Sequence, residues 1–268
     1  MPIDISARFG FHLDHPTDVL LQFEAAAIPE QTILSCNTQL CATDHFARVP
    51  AQDAIGERIW LRLQGDCEVS YTATVEVQRI VTDISRLAQL DPHELPGETV
   101  EYMFDSRYCQ SDRMHGFVDA EFGNLSGGER IAAMCDWIGN KISYVPGSST
   151  PETTALDTFA ERRGICRDFA HLLVTFARAS AMPARYVSCY APGVTPQDFH
   201  AVAEVFLADT TIEGGGAWHI VDATGMADAA HAVKIGIGRD AADVSFMTSF
   251  GWANFGHKEV SVTATDGD

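Results

Sequence analysis

The sequence predicts an α+β fold: a β-rich N-terminal domain over residues 1–105, then a core over residues 106–268 in which a helix packs on an antiparallel sheet. Three observations predict it. Apolar residues alternate from Arg58 to Val77, with Ile59, Leu61, Leu63, Val69, Tyr71, Ala73 and Val75 on alternate positions. Between Gly164 and Met182-Pro183 the period becomes helical, since Phe169, Leu172, Leu173, Phe176 and Ala177 recur at three- and four-residue steps. Strand-like segments at 199–207 and 217–222 then flank a turn-forming stretch, Asp209 to Gly216, which reads as a hairpin. Strands gathered first and a helix with its own hairpin afterwards indicate segregated layers rather than a βαβ alternation.

Taken in order, Ile3 to His12 and Val19 to Ala26 read as strands, punctuated with the later run by Gly10, Pro16, Pro29, Pro50, Gly56 and Gly65. Short strands at such spacing predict a β-sandwich-like module. His12 and His15 beside Asp14 lack a helix or a third ligand, and read as a surface turn. Asp91 to Glu98 is rich in Pro, Gly and acids and marks a linker. Ser126 and Glu129 form a capping-box pattern ahead of an apolar face of Ile131, Met134, Cys135, Ile138 and Ile142, so a helix runs to about Ser143 with Trp137 in the core. Tyr144 to Pro151 is a loop, Thr154 to Arg162 a short helix, Ala184 to Tyr190 a strand beside the hairpin, and Glu259 to Thr265 a final strand. Arg239, Asp240 and Asp243 read as a structural ion-pair cluster.

The chemistry gathers on three residues. Cys166 falls in the first turn of the 164–183 helix, where unpaired N–H groups and the helix dipole favour the nucleophilic thiolate. In the hairpin, pairing His200 with Asp222 centres the turn on Thr211, inside the predicted loop, and makes the two cross-strand neighbours. A carboxylate there fixes the imidazole tautomer and leaves the second ring nitrogen for the thiol. His219 takes this place only if the register slips, and His171, on the nucleophile's own helix, cannot turn back to it.

These residues resemble a known family. Gly164-Ile165-Cys166-Arg167-Asp168-Phe169-Ala170, then Met182-Pro183-Ala184-Arg185-Tyr186-Val187-Ser188, His200-Ala201 and Asp222-Ala223-Thr224 are similar to the transglutaminase-like superfamily, specifically its bacterial branch of candidate cysteine proteases. Tyr144-Val145-Pro146-Gly147 upstream and residues 238–244 downstream extend the resemblance over roughly half of the chain. It implies a papain-like transglutaminase core, a Cys166, His200 and Asp222 triad, and an N-terminal β-sandwich-like domain. It departs at Val202, where members usually carry Trp, and at Ala223, where many carry Pro. The implied activity is cysteine-dependent hydrolysis of peptide or amide bonds through a thioester, with the Cys166 N–H in the oxyanion hole. The alternatives are a protein-glutamine gamma-glutamyltransferase and a non-catalytic binding module on the same fold.

Composition narrows the partners. With 18 basic against 37 acidic residues the formal charge is −19, which opposes nucleic-acid and anionic-membrane binding and leaves a peptide, protein or amide substrate as the expected partner. No leader-like or spanning stretch is read, so the expectation is cytoplasmic. Seven cysteines at irregular spacing predict free thiols, six of them buried apolar groups; Cys36 and Cys41 are near enough to pair, but nothing requires it. No motif supplies metal-ligand spacing, and neither cofactor nor oligomeric state is assigned.

Overall fold

The protein is described by a computed structural model over residues 1–79, 81–211 and 215–265. In chain order the strands are β1 (Pro2–Leu21), β2 (Gln31–Gln39), β3 (His45–Pro50), β4 (Glu57–Val77), β5 (Ser143–Tyr144), β6 (Arg163–Gly164), β7 (Ala184–Tyr190), β8 (His200–Ala208), β9 (Gly216–Val221), β10 (Val233–Gly238), β11 (Met247–Ser249) and β12 (Asn254–Ala264). The α-helices are α1 (His115–Phe122), α2 (Gly127–Lys141), α3 (Ala155–Glu161) and α4 (Cys166–Ala179).

β1 and β4 pair antiparallel from Pro2 opposite Glu76 to Leu21 opposite Ile59, and the register breaks only between Leu13 and Thr17. Pro16 lies in that break, where a residue without an N–H costs no ladder bond. The two strands expected over Ile3–His12 and Val19–Ala26 are therefore one bulged strand that ends at Leu21. β2 and β3 pair with opposite ends of β4, and β12 and β11 with opposite ends of β1. Both halves of this sheet bury their alternate residues, Ile3 to Phe11 in one and Val19, Leu21, Ile59 and Leu61 in the other, in a single apolar core, which gives the sandwich-like character.

Two expectations change here. The last strand, expected within residues 106–268, pairs with β1 from Ile3 opposite Ala264 to His12 opposite Asn254, a contact between chain ends that no local pattern encodes. Residues 266–268 and the centre of the expected 209–216 turn lie outside the described residues. Cys41 and Cys67 are not free: Gln39 stands opposite Ser70, so the chain leaving β2 passes β4, and the two cysteines, with Cα atoms 5.1 Å apart, are bonded. The Cys36–Cys41 pair does not form, and Cys36, Cys109, Cys135, Cys166 and Cys189 are free.

The second sheet has the order β10-β7-β8-β9, all antiparallel. Ala184 of β7 and Ala203, Val205 and Leu207 of β8 form one face, and Leu172, Leu173 and Phe176 of α4 pack on it. Trp137 of α2 stacks on Phe159 of α3 at 5.7 Å beside Phe176, so it is a core residue as expected. Ser126 is the N-cap of α2, but its side chain makes no capping bond. The Leu87 carbonyl instead accepts from the Gly128 N–H at 2.9 Å. A Cβ on Gly128 would stand 1.6 Å from the Ile84 oxygen, so only glycine admits the segment that caps this helix.

The opposite face of the sheet carries buried charge. Glu204 is fully buried, accepts from Arg185 Nε at 2.7 Å and pairs with Lys234, which also pairs with Glu30 of the N-terminal half. With Tyr190 Oη on the Phe23 carbonyl (2.6 Å), these contacts fix the N-terminal sheet against β7 and β10. Among the described residues no helix is long and apolar enough to cross a membrane.

Candidate active site

Cys166 is the first residue of α4, preceded by Ile165 in extended conformation. Ile165 has no side-chain acceptor, so the helix start is held from inside: Asp168 turns back and its Oδ2 accepts the Ile165 N–H at 2.9 Å. Gly164 makes room for this, because a Cβ there would approach the Asp168 Cβ to 2.7 Å. The other Asp168 oxygen accepts from Ser149 Oγ at 2.9 Å and from Arg167 Nη1 at 3.3 Å. Burial is the largest influence on this carboxyl and leaves its pKa raised despite those donors. One acid thus joins the nucleophile's helix to the loop after β5.

His200 opens β8, opposite Cys189 of β7. Its Nε2 donates to Asp222 Oδ2 at 2.9 Å, and among the described residues its buried Nδ1 has no hydrogen-bond partner. The register differs from the expected one. Ala203 stands opposite Val221, so Asp222 follows the end of β9 level with Val202 and reaches His200 diagonally. The two-residue offset preserves the contact because side chains alternate with period two. Asp222 is fixed by its own turn: it accepts from the N–H groups of Thr224 (2.8 Å), Met226 (3.1 Å) and Ala227 (2.7 Å) and from Thr224 Oγ1. His219 lies opposite Val205, outside this cluster.

Cys166 and His200 line one cavity of about 350 Å³, whose lining also includes Tyr144, Tyr186, Phe199 and Phe246. Burial acts most strongly on His200 and disfavours its charge, but the Asp222 hydrogen bond, with the adjacent Cys166, outweighs it and raises the pKa from 6.5 to about 9. Burial likewise raises Asp222, and the hydrogen bond and charge of His200 more than offset it, so the carboxyl is held below its ordinary value. A histidine anchored by a carboxylate in the cavity that also holds a cysteine is a set of groups that cysteine acyl-transfer chemistry uses.

Comparison with known proteins gives the family. Residues 118–223 match the transglutaminase-like superfamily, a span that contains all three residues. A solved structure described as a candidate cysteine protease from Cytophaga hutchinsonii is 32% identical, with a TM-score of 0.90 over 100% of this chain and 92% of that one. The chain belongs to the transglutaminase-like superfamily. An uncharacterized protein, ML0607, from Mycobacterium leprae (strain TN) is 29% identical over 125 residues, 43% of this chain; the match spans 42% of that protein's length.

In this member of the superfamily two further residues stand beside Cys166. Tyr144, left outside the catalytic set by sequence reasoning, lies in β5 with Gly164 of β6 opposite it. Burial and then the Cys166 sulfur push its hydroxyl pKa up to about 12, and its oxygen is near enough to interact with the Cys166 N–H. Asp168 was also missed; its signal is an acid three residues after a helix N-cap, which the capping-box rule overlooks when the N-cap is Ile165. His171 is fully buried, its Nε2 accepts from the Ala241 N–H at 3.1 Å, and burial holds its pKa well below 6.5. Arg239 pairs with Asp243 at 3.0 Å, whereas Asp240 accepts from the Tyr108 N–H at 2.8 Å, so the expected three-residue cluster is divided.

Proposed function

We propose that this chain is a cysteine-dependent hydrolase of peptide or amide bonds in which Cys166, His200 and Asp222 form the catalytic triad. The observation that carries the reading is the His200 ring, bonded through Nε2 to Asp222, with a buried Nδ1 that has no partner among the described residues, in the cavity that holds Cys166. The Cys166 thiolate attacks the amide carbonyl, and the electron pair displaced onto oxygen is met by the Cys166 N–H with Tyr144 Oη as second donor. His200 gives its Nδ1 proton to the departing amine as the C–N bond breaks, leaving a thioester. Water then enters, His200 takes its proton, and the C–S bond breaks to release the acid and restore the thiol. In this reading residues 106–268 carry the chemistry on the scaffold of residues 1–105, with β12 linking the two. The Cys41–Cys67 bond weighs for an oxidising compartment rather than the cytoplasm.

The test is Cys166→Ala beside the parent protein, assayed on a pooled peptide-amide library with and without added alkylamine. Loss of thiol-dependent product with an unchanged melting curve is expected. Turnover that survives the substitution rules the triad out, and amine-dependent product without free acid moves the assignment to acyl transfer.

A further inference from the structure

A second cavity adjoins that of Cys166 as a side arm. Ile165, Arg167, Ala241 and Ser245 line both, and beyond them the arm opens to about 470 Å³ over Arg107, Tyr108 and Thr150. Among the described residues no carboxylate lines this arm, in a chain whose acids outnumber its bases by 37 to 18. Its floor is a stack of planar groups: the Arg107 and Arg167 guanidiniums lie 5.1 and 4.4 Å from the Tyr108 ring centre. Tyr108 is held by its hydroxyl on the Pro151 carbonyl (2.7 Å) and by stacking on His171 (5.1 Å). Arg167 uses one nitrogen, Nη1, on Ser149, the Thr150 carbonyl and Asp168. Arg107 is exposed and, among the described residues, has no ion-pair partner. Lys258 of the His200 arm is paired with Asp198 at 2.6 Å and Arg167 with Asp168 at 3.3 Å, so among the described residues of the two arms Arg107 is the cation left over.

We infer that the Arg107–Arg167 arm is a carboxylate-binding subsite, and that the substrate carries an acidic group on the acyl side of the cleaved amide. The direction rests on the proposed reaction: His200 protonates the leaving amine, so the amine side occupies the His200 arm and the acyl side extends the other way. Guanidiniums fixed over an aromatic ring present preordered forks to a planar carboxylate. A neutral or basic side chain at that position leaves the Arg107 charge unmet.

The test needs no turnover. N-iodoacetyl derivatives of glycine, β-alanine, 4-aminobutyrate and glutamate are compared with their carboxamides for labelling of Cys166, read by peptide mass spectrometry; the sulfur displaces iodide in every case, and only the carboxylate differs. At least one acid is expected to label about 5- to 10-fold faster than its amide at low salt, with the advantage shrinking as salt is raised. Arg107→Gln should bring that ratio to about 1 and Arg107→Glu below 1, with the carboxamide rates unchanged. Carboxamides that label Cys166 without any acid advantage, or a ratio that Arg107→Glu does not move, overturn the subsite alone. Carboxamides that fail to label Cys166 in the folded parent overturn the nucleophile, and the subsite with it.

Discussion

Asp222→Asn tests the electrostatics of the site through pH. His200 rises from 6.5 to about 9 on folding, so its charged form stabilises the native protein. That stabilisation is fully present below pH 6.5 and is lost as pH rises through about 9. At about 1.4 kcal/mol per tenfold, the whole effect is about 3 kcal/mol. The Asp222 hydrogen bond is the largest influence that raises His200, with Cys166 the other source, so about 2 kcal/mol should disappear when the carboxylate is made neutral. Asparagine also turns an NH2 toward a turn that supplies only donors, Thr224, Met226 and Ala227, and the variant will be less stable at every pH for that reason. The diagnostic quantity is therefore the slope. Between pH 6.5 and 9.5 the parent should lose roughly 4–8 °C more in Tm than the variant, other titrating groups being common to both. The same variant should label with iodoacetamide at Cys166 at least tenfold more slowly at pH 7, because burial without the carboxylate leaves the ring neutral. Parallel Tm profiles together with equal labelling rates would refute the coupling.

Two other substitutions separate chemistry from framework. Tyr144→Phe should keep the melting temperature and lower kcat about 10²-fold with little change in KM, as expected for a donor engaged only in the transition state; an unchanged kcat removes Tyr144 from the oxyanion hole. Glu204→Gln strands the Arg185 and Lys234 charges on the sheet face opposite α4 and should cost about 3–5 kcal/mol by urea unfolding, whereas a loss below 1 kcal/mol would show that the network is hydrated. Glu204 is lowered from 4.5 to about 2, so its own stabilisation is present above pH 4.5 and lost as pH falls through about 2.

What was legible in the sequence follows the range of the interactions involved. Cys166 is local: a glycine, a helical period and a proline stop define its place within twenty residues. His200 and Asp222 survived a register that was wrong by two, because that error preserves which side of the strand a residue faces; an error of one would have exchanged His200 for a neighbour. Tyr102 to Gly123 shows no clear pattern in the sequence for the opposite reason. α1 is short, and the chain before it is tied by single side chains, Asp105 accepting from Ser111 within the segment and Asp240 accepting from the Tyr108 N–H from outside it, so the segment has no period of its own. The Cys41–Cys67 bond and the pairing of β12 with β1 depend on contacts across the chain, which loop closure leaves unmarked in local pattern. The walls of the cavity are of this second kind: Arg107 comes from the unread segment, Asp198 from a loop, and Lys258 from a strand at the far end of the chain. Reaction class and substrate choice are thus written at different ranges. Cys166, His200 and Asp222 each sit where a local rule positions them, whereas the remaining walls of the cavity are assembled from segments that meet only in the folded chain, so the proposed chemistry could be read before any specificity.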